Sequence, residues 1–222
     1  MTLTLADIRN RERDALLGEY LFPQLGGVQV SPYSAIGSIA DLTGTPSVIR
    51  AKHPLSILAF PGADPARGFV QHCPSLGYKF LWLPPGEEGY LAIYRAYLKA
   101  HHGLEPGTAG FDVDHLFSRA RAGDLRLTHL RMVLLGQGEN RSHGAGYESG
   151  RTRAGIGTPG RQRGIDEVML MKLCGISSPR KNQALSPEML AHVQRIAALF
   201  GLSPMEIEQN IRDLMAVAAH RP

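Results

Sequence analysis

The chain has 222 residues, 43% of them apolar, which is enough for a sizeable core and too many for wholesale disorder. Cys73 and Cys174 lie far apart and form no CxxC pair, which excludes a cysteine-rich zinc site and argues against a disulfide framework. The net charge of +4 is unevenly placed: residues 116–165 hold nine arginines, no lysine and three acids, a local charge of +6 that leaves −2 for the rest. Arginine is the side chain for bidentate phosphate contact, so this segment points to a polyanionic substrate; the plainer reading is an arginine-rich surface.

The first stretch, MTLTLADIRNRERDALL, carries Asp7, Arg9, Arg11, Glu12, Arg13 and Asp14 and is too charged for a signal peptide. No run approaches the ~20 apolar residues of a membrane span. The expectation is a cytoplasmic chain without a membrane partner, with export lacking a cleaved signal left open. PLSILAF (54–60) and YKFLWLP (78–84) read as strands bounded by Pro and Gly. GEEGYLAIYRAYLKAHHG reads as a helix, with Leu91, Tyr94, Tyr97 and Leu98 on one face and Gly103 after its end. His101 and His102 fall in its last turn, where cations complement the helix dipole.

Next comes FDVDHLF (111–117), an aspartate and a histidine side by side between apolar residues. Two readings are open. Asp114 could cap a short helix, HLFSRARA, ended by Gly123, with His115 an ordinary first-turn residue. Alternatively the pair closes a strand and does chemistry. LRLTHLRMVLL (125–135) alternates in a strand-compatible way, with Leu125, Leu127, His129, Arg131 and Val133 on one side, although a helix also fits. A Gly- and Arg-rich section follows, with a short helix plausible over 140–148 and a mobile basic loop over 150–164. The end is an αα-hairpin. SPEMLAHVQRIAALFG starts with Ser186 and Pro187 and stops at Gly201, and SPMEIEQNIRDLMAVAA restarts with Ser203, Pro204 and Glu206. Its apolar stripe is Ile207, Ile211, Leu214 and Met215. With Arg212 set among Glu206, Glu208 and Asp213, the second helix suits core packing or a protein partner better than DNA reading.

Asp114-His115, the strand-like run ending MVLL and then Asn140-Arg141-Ser142-His143-Gly144 together resemble the HNH, or ββα-metal, nuclease motif. The subtype is that of RNA-guided nucleases, in which Asn-Arg follows the histidine at a similar distance; here His115 and Asn140 are 25 positions apart. The resemblance covers residues 111–148. It implies an α+β protein in which a ββα-metal finger (111–165, with its basic loop) is embedded in a mixed α/β domain. Residues 1–110 would be a supporting region and 166–222 a helical C-terminal region. It further implies a metal-dependent endonuclease acting on DNA first and RNA second, of toxin or defence type.

The chemistry suits those residue types. A neutral histidine accepts a proton near neutral pH, so His115 is the expected base. Asp114 and Asn140 would offer oxygen ligands to Mg²⁺, with Mn²⁺ or Zn²⁺ as alternatives and His143 as a further ligand or phosphate contact. Arg119, Arg131 and Arg141 are the expected phosphate contacts. The middle Asn of the motif is missing, and Thr128, His129 or Arg131 stands near its place. His115, His129 and His143 form a rival zinc set, which strand alternation disfavours by turning His129 to the core. The alternative to the nuclease is a non-catalytic nucleic-acid-binding or adaptor protein using the arginine segment.

Overall fold

A computed structural model describes residues 3–25, 33–44, 54–60, 62, 64–105, 110–138, 140–141, 158–165, 169, 172–173 and 184–219. The elements in chain order are α1 (Leu5–Leu25), β1 (Tyr33–Ile36), α2 (Ala40–Gly44), β2 (Ser56–Ala59), β3 (Phe69–Cys73), β4 (Tyr78–Leu83), α3 (Tyr90–His102), β5 (Phe111–His115), α4 (Arg119–Asp124), β6 (His129–Gly136), β7 (Arg163–Gly164), α5 (Pro187–Phe200) and α6 (Pro204–Ala219). The architecture is α+β.

One antiparallel sheet runs β2-β3-β4-β6-β1-β7, and β5 pairs with β6 beside it. β6 is the shared strand. It pairs with β1 at His129 and Leu130, with β4 at Leu130 and Arg131, and with β5 from Met132 to Gly136. The sheet therefore continues across residue 110, where the sequence suggested a division. Every β6 residue but the last is buried, and successive side chains enter different cores. Val133 and Leu135 join Phe80, Trp82 and residues of α1, α5 and α6. Met132 and Leu134 join Leu81, Leu83, Tyr94, Tyr97 and Leu98 beneath α3.

Helix punctuation works as the residues dictate. Ser186 accepts the Met189 N–H, Pro187 follows it, and Gly201 ends α5 in the left-handed region at φ 66°. Ser203 accepts the Glu206 N–H at the start of α6, whose Ile207, Ile211 and Met215 are buried. In α3, Tyr94, Tyr97 and Leu98 face inward as expected, but Leu91 is exposed. Burial and the nearby Lys79 ammonium push His101 and His102 below the usual imidazole range, His102 to about 4, which weakens the dipole role expected of them. His102 Nε2 instead meets the Tyr97 hydroxyl at 3.1 Å.

α1 is the element that the charged start concealed. Ile8, Leu16 and Leu17 are buried, but so are Glu12 and Arg13. Glu12 accepts hydrogen bonds from the Tyr94 hydroxyl and the Leu134 N–H, each at 3.0 Å, tying α1 to α3 and to β6. Arg13 and Asp14 reach His192, and Asp14 also accepts from Arg195, so the same helix is joined to α5. Residues 158–164, expected as loop, contain β7, which pairs antiparallel with β1, and the Ser34 hydroxyl donates to the Arg163 and Gly164 carbonyls. Cys73 is buried, its Sγ 3.5 Å from the Ser75 hydroxyl; Cys174 lies outside the described residues. Among the described residues no helix is long and apolar enough to cross a membrane.

Candidate functional site

FDVDH forms β5, so Asp114 lies in a strand and does not cap a helix. α4 begins only at Arg119, and Ser118 holds its N-cap position without a side-chain bond. Alternation along β5 separates the adjacent pair. Phe111, Val113 and His115 face α3: Val113 and Phe111 join the core beneath it, and the His115 ring meets the Tyr90 ring edge-on at 4.7 Å. Asp112 and Asp114 share the other face, with Cα atoms about 7 Å apart for two residues of extended chain.

Asp114 uses both oxygens. Oδ1 accepts the His115 N–H at 2.8 Å, and Oδ2 accepts Lys172 Nζ at 2.6 Å. The Lys172 side chain is 4% exposed and the Asp114 side chain 27%.

β6 returns along β5 with Asp112 opposite Leu135 and Asp114 opposite Val133. After Gly136 the chain is helical at 137–138 and 140–141. This turn carries Asn140 back to β5, where its Nδ2 donates to Asp112 Oδ2 at 3.3 Å. Arg141 Nε lies 3.8 Å from the same oxygen and the side chain is 71% exposed. The expected meeting of Asp114, His115 and Asn140 at one spot is thus replaced by three contacts: Asn140 on Asp112, Lys172 on Asp114, and His115 on Tyr90. Asp112 is the residue that sequence reasoning missed, and its signal was the i, i+2 spacing of acids in FDVDH. Lys172 had no such signal.

The Nε2 atom of His115 is buried and has no hydrogen-bond partner among the described residues. Burial pushes the imidazole down to about 4; the Asp114 carboxylate pulls it upward, and Arg119 adds a smaller push downward. The ring is therefore neutral at pH 7. The residues near the place of the missing middle Asn are engaged elsewhere. His129 is buried against Phe69, its Nε2 donates to the Pro65 carbonyl at 3.0 Å, and its Nδ1 lies 3.1 Å from the Thr128 hydroxyl. His129 faces the core, as alternation suggested.

Arg131 is not a phosphate contact. It is 1% exposed, its Nη2 donates to Gln71 Oε1 at 3.0 Å, and its guanidinium lies over Phe80 and Trp82 at 4.7 and 5.0 Å. The apolar walls supplied by β4 draw it inward. Arg119 is exposed, donates to the Pro85 carbonyl at 2.9 Å and lies 5.9 Å over the Tyr90 ring, which in turn meets His115 edge-on. His143, most of the expected 140–148 helix and residues 150–157 of the basic loop lie outside the described residues.

Among the described residues no three His, Cys, Asp or Glu side chains gather to hold a metal. Asp112 and Asp114 share a face and Asn140 reaches Asp112 through its amide nitrogen, which gives an oxygen-bearing set. It fits a hard cation such as Mg²⁺, which binds through one or two carboxylates and keeps several waters, better than it fits zinc. No family model, no curated protein and no solved structure matches the chain.

Proposed function

We propose that the protein is a metal-dependent nuclease of the HNH type that hydrolyses phosphodiester bonds, in DNA before RNA. The observation that supports this reading is an antiparallel β5–β6 pair followed by helical residues whose Asn140 amide contacts the acidic face of the strand that ends in His115.

Asp114 and Asn140 would hold a divalent cation, Mg²⁺ first, with Asp112 as the adjoining oxygen donor. When bound, such a cation stabilises charge on the phosphate and the leaving oxygen. His115 is the proton acceptor. Its neutral ring keeps a lone pair available as the water's oxygen forms the new bond to phosphorus and the leaving oxygen departs. Tyr90 holds the ring by packing, the task usually given to the motif's middle Asn. Arg119 and Arg141, both exposed, would meet backbone phosphates.

The test uses the full chain with supercoiled plasmid and with structured RNA, in Mg²⁺, Mn²⁺ or EDTA. Cutting should require metal, and His115→Ala should remove nearly all of it while leaving the fold intact. Wild-type cutting by His115→Ala, or no cutting of either substrate in either metal, would overturn the reading.

A further inference from the structure

Among the described residues, Lys172 is a charged side chain in the acidic face that the proposed chemistry does not use. Its ammonium is almost fully withdrawn from water and touches Asp114 Oδ2 at 2.6 Å. Burying an ammonium costs several kcal/mol unless the pairing is close, so Asp114 is a principal compensation for placing it there. The neighbouring Leu173 is 3% exposed and belongs to the core shared with α1, α5 and α6, which anchors Lys172 from the side.

This geometry conflicts with direct metal ligation. A Mg²⁺ ion sits about 2.0–2.1 Å from its oxygen ligands. A nitrogen 2.6 Å from the same oxygen occupies that approach, and the other oxygen of Asp114 already accepts the His115 N–H. Asp112 is held more loosely, by Asn140 at 3.3 Å and Arg141 at 3.8 Å. The acidic face is thus closed at Asp114 and open to exchange at Asp112.

We infer that Lys172 is an internal counter-cation that latches Asp114, so that a divalent metal enters only by displacing the Lys172 ammonium. The inference rests on the proposed metal site and adds its regulation: anything that draws Lys172 away raises metal affinity, and metal binding in turn releases Lys172 to solvent.

Two measurements on the full chain test it. Mn²⁺ binding is followed by the loss of the free-ion signal in electron paramagnetic resonance, for wild type and Lys172→Met. The variant should bind roughly ten-fold tighter or more, because the Lys172 charge no longer opposes the ion at Asp114. Wild type is also acetylated with an amine reagent, with and without saturating Mn²⁺, and each lysine is read by mass spectrometry. Lys172 should be protected without metal and become several-fold more reactive with it, while the exposed Lys99 stays unchanged. The labelling decides the matter even if Lys172→Met fails to fold. Equal Mn²⁺ affinity in the two proteins, or Lys172 still protected at saturating Mn²⁺, overturns the latch and leaves the metal site standing. Absence of Mn²⁺ binding in both folded proteins overturns the metal site as well.

Discussion

Glu12→Gln should change how stability depends on pH. Burial raises the Glu12 carboxyl from 4.5 to about 8, against the lowering influence of its bonds from Leu134 and Tyr94 and of the Arg131 charge. The unfolded chain therefore loses this proton near pH 4.5, and the folded chain keeps it until about pH 8. Between those values the folded state binds the extra proton, so stability falls as pH rises. The loss is about 1.4 kcal/mol per pH unit, on the order of 4 kcal/mol between pH 5 and 8. That is a large part of the 5–15 kcal/mol typical of a folded domain. Gln keeps the shape and one acceptor oxygen but does not titrate. Urea unfolding at several pH values, followed by fluorescence of the sole tryptophan, buried Trp82, measures both proteins. The difference between them isolates Glu12, because the histidines titrate alike in each. Wild type should lose ground to the variant steadily from pH 5 to 8. A difference that stays constant across that range would refute the buried-acid argument.

Arg131→Ala should destabilise the fold by about 3 kcal/mol or more in urea unfolding, through the cavity it leaves and the loss of its hydrogen bond to Gln71, whose oxygen keeps the Trp82 indole N–H. Arg131→Met, which keeps the packing over Phe80 and Trp82, should cost less. Arg141→Ala should leave stability within about 0.5 kcal/mol. If Arg141 contacts a phosphate, its removal should flatten the slope of log affinity for DNA against log salt by about one unit or slightly less, measured in EDTA. Gly37→Ala should destabilise the fold by about 1–3 kcal/mol, since a Cβ there would stand 1.9 Å from the Gly160 carbonyl oxygen; unchanged unfolding would show that the 158–165 segment gives way freely.

Much of the framework is legible where a residue type acts on its immediate neighbours. The Ser-Pro starts and the Gly201 stop mark the αα-hairpin, and Pro and Gly bracket β2 and β4. The elements that escaped depend on partners remote in sequence. α1 looks like a charged surface segment because Glu12 and Arg13 occupy positions an apolar-stripe reading reserves for core residues, and their hydrogen-bond partners lie on α3, β6 and α5. Arg131 looks like one more member of a basic segment, and only Gln71, Phe80 and Trp82 make it a core residue. At the candidate site, the strand ending in Asp114 and His115 was readable, as was the return of the chain to an asparagine. Which acid Asn140 would meet was set by β5–β6 register, and the engagement of Asp114 by Lys172 was set by a segment 58 positions away.

The β1 pairings bear on how the chain is made. Its described neighbours in the sheet are β6, at His129 and Leu130, and β7, at Arg163 and Gly164. All four residues of β1 are buried in the finished protein. As the polypeptide leaves the ribosome, Tyr33, Ala35 and Ile36 must wait for more than ninety further residues before the first of those strands exists. Pairing at such separation closes large loops and is slow. Until then YSAI is an apolar strand without its sheet, exposed to holding chaperones and to neighbouring nascent chains. A chain released before residue 129 should be captured by such chaperones, and one released after residue 165 should bury the strand and escape them.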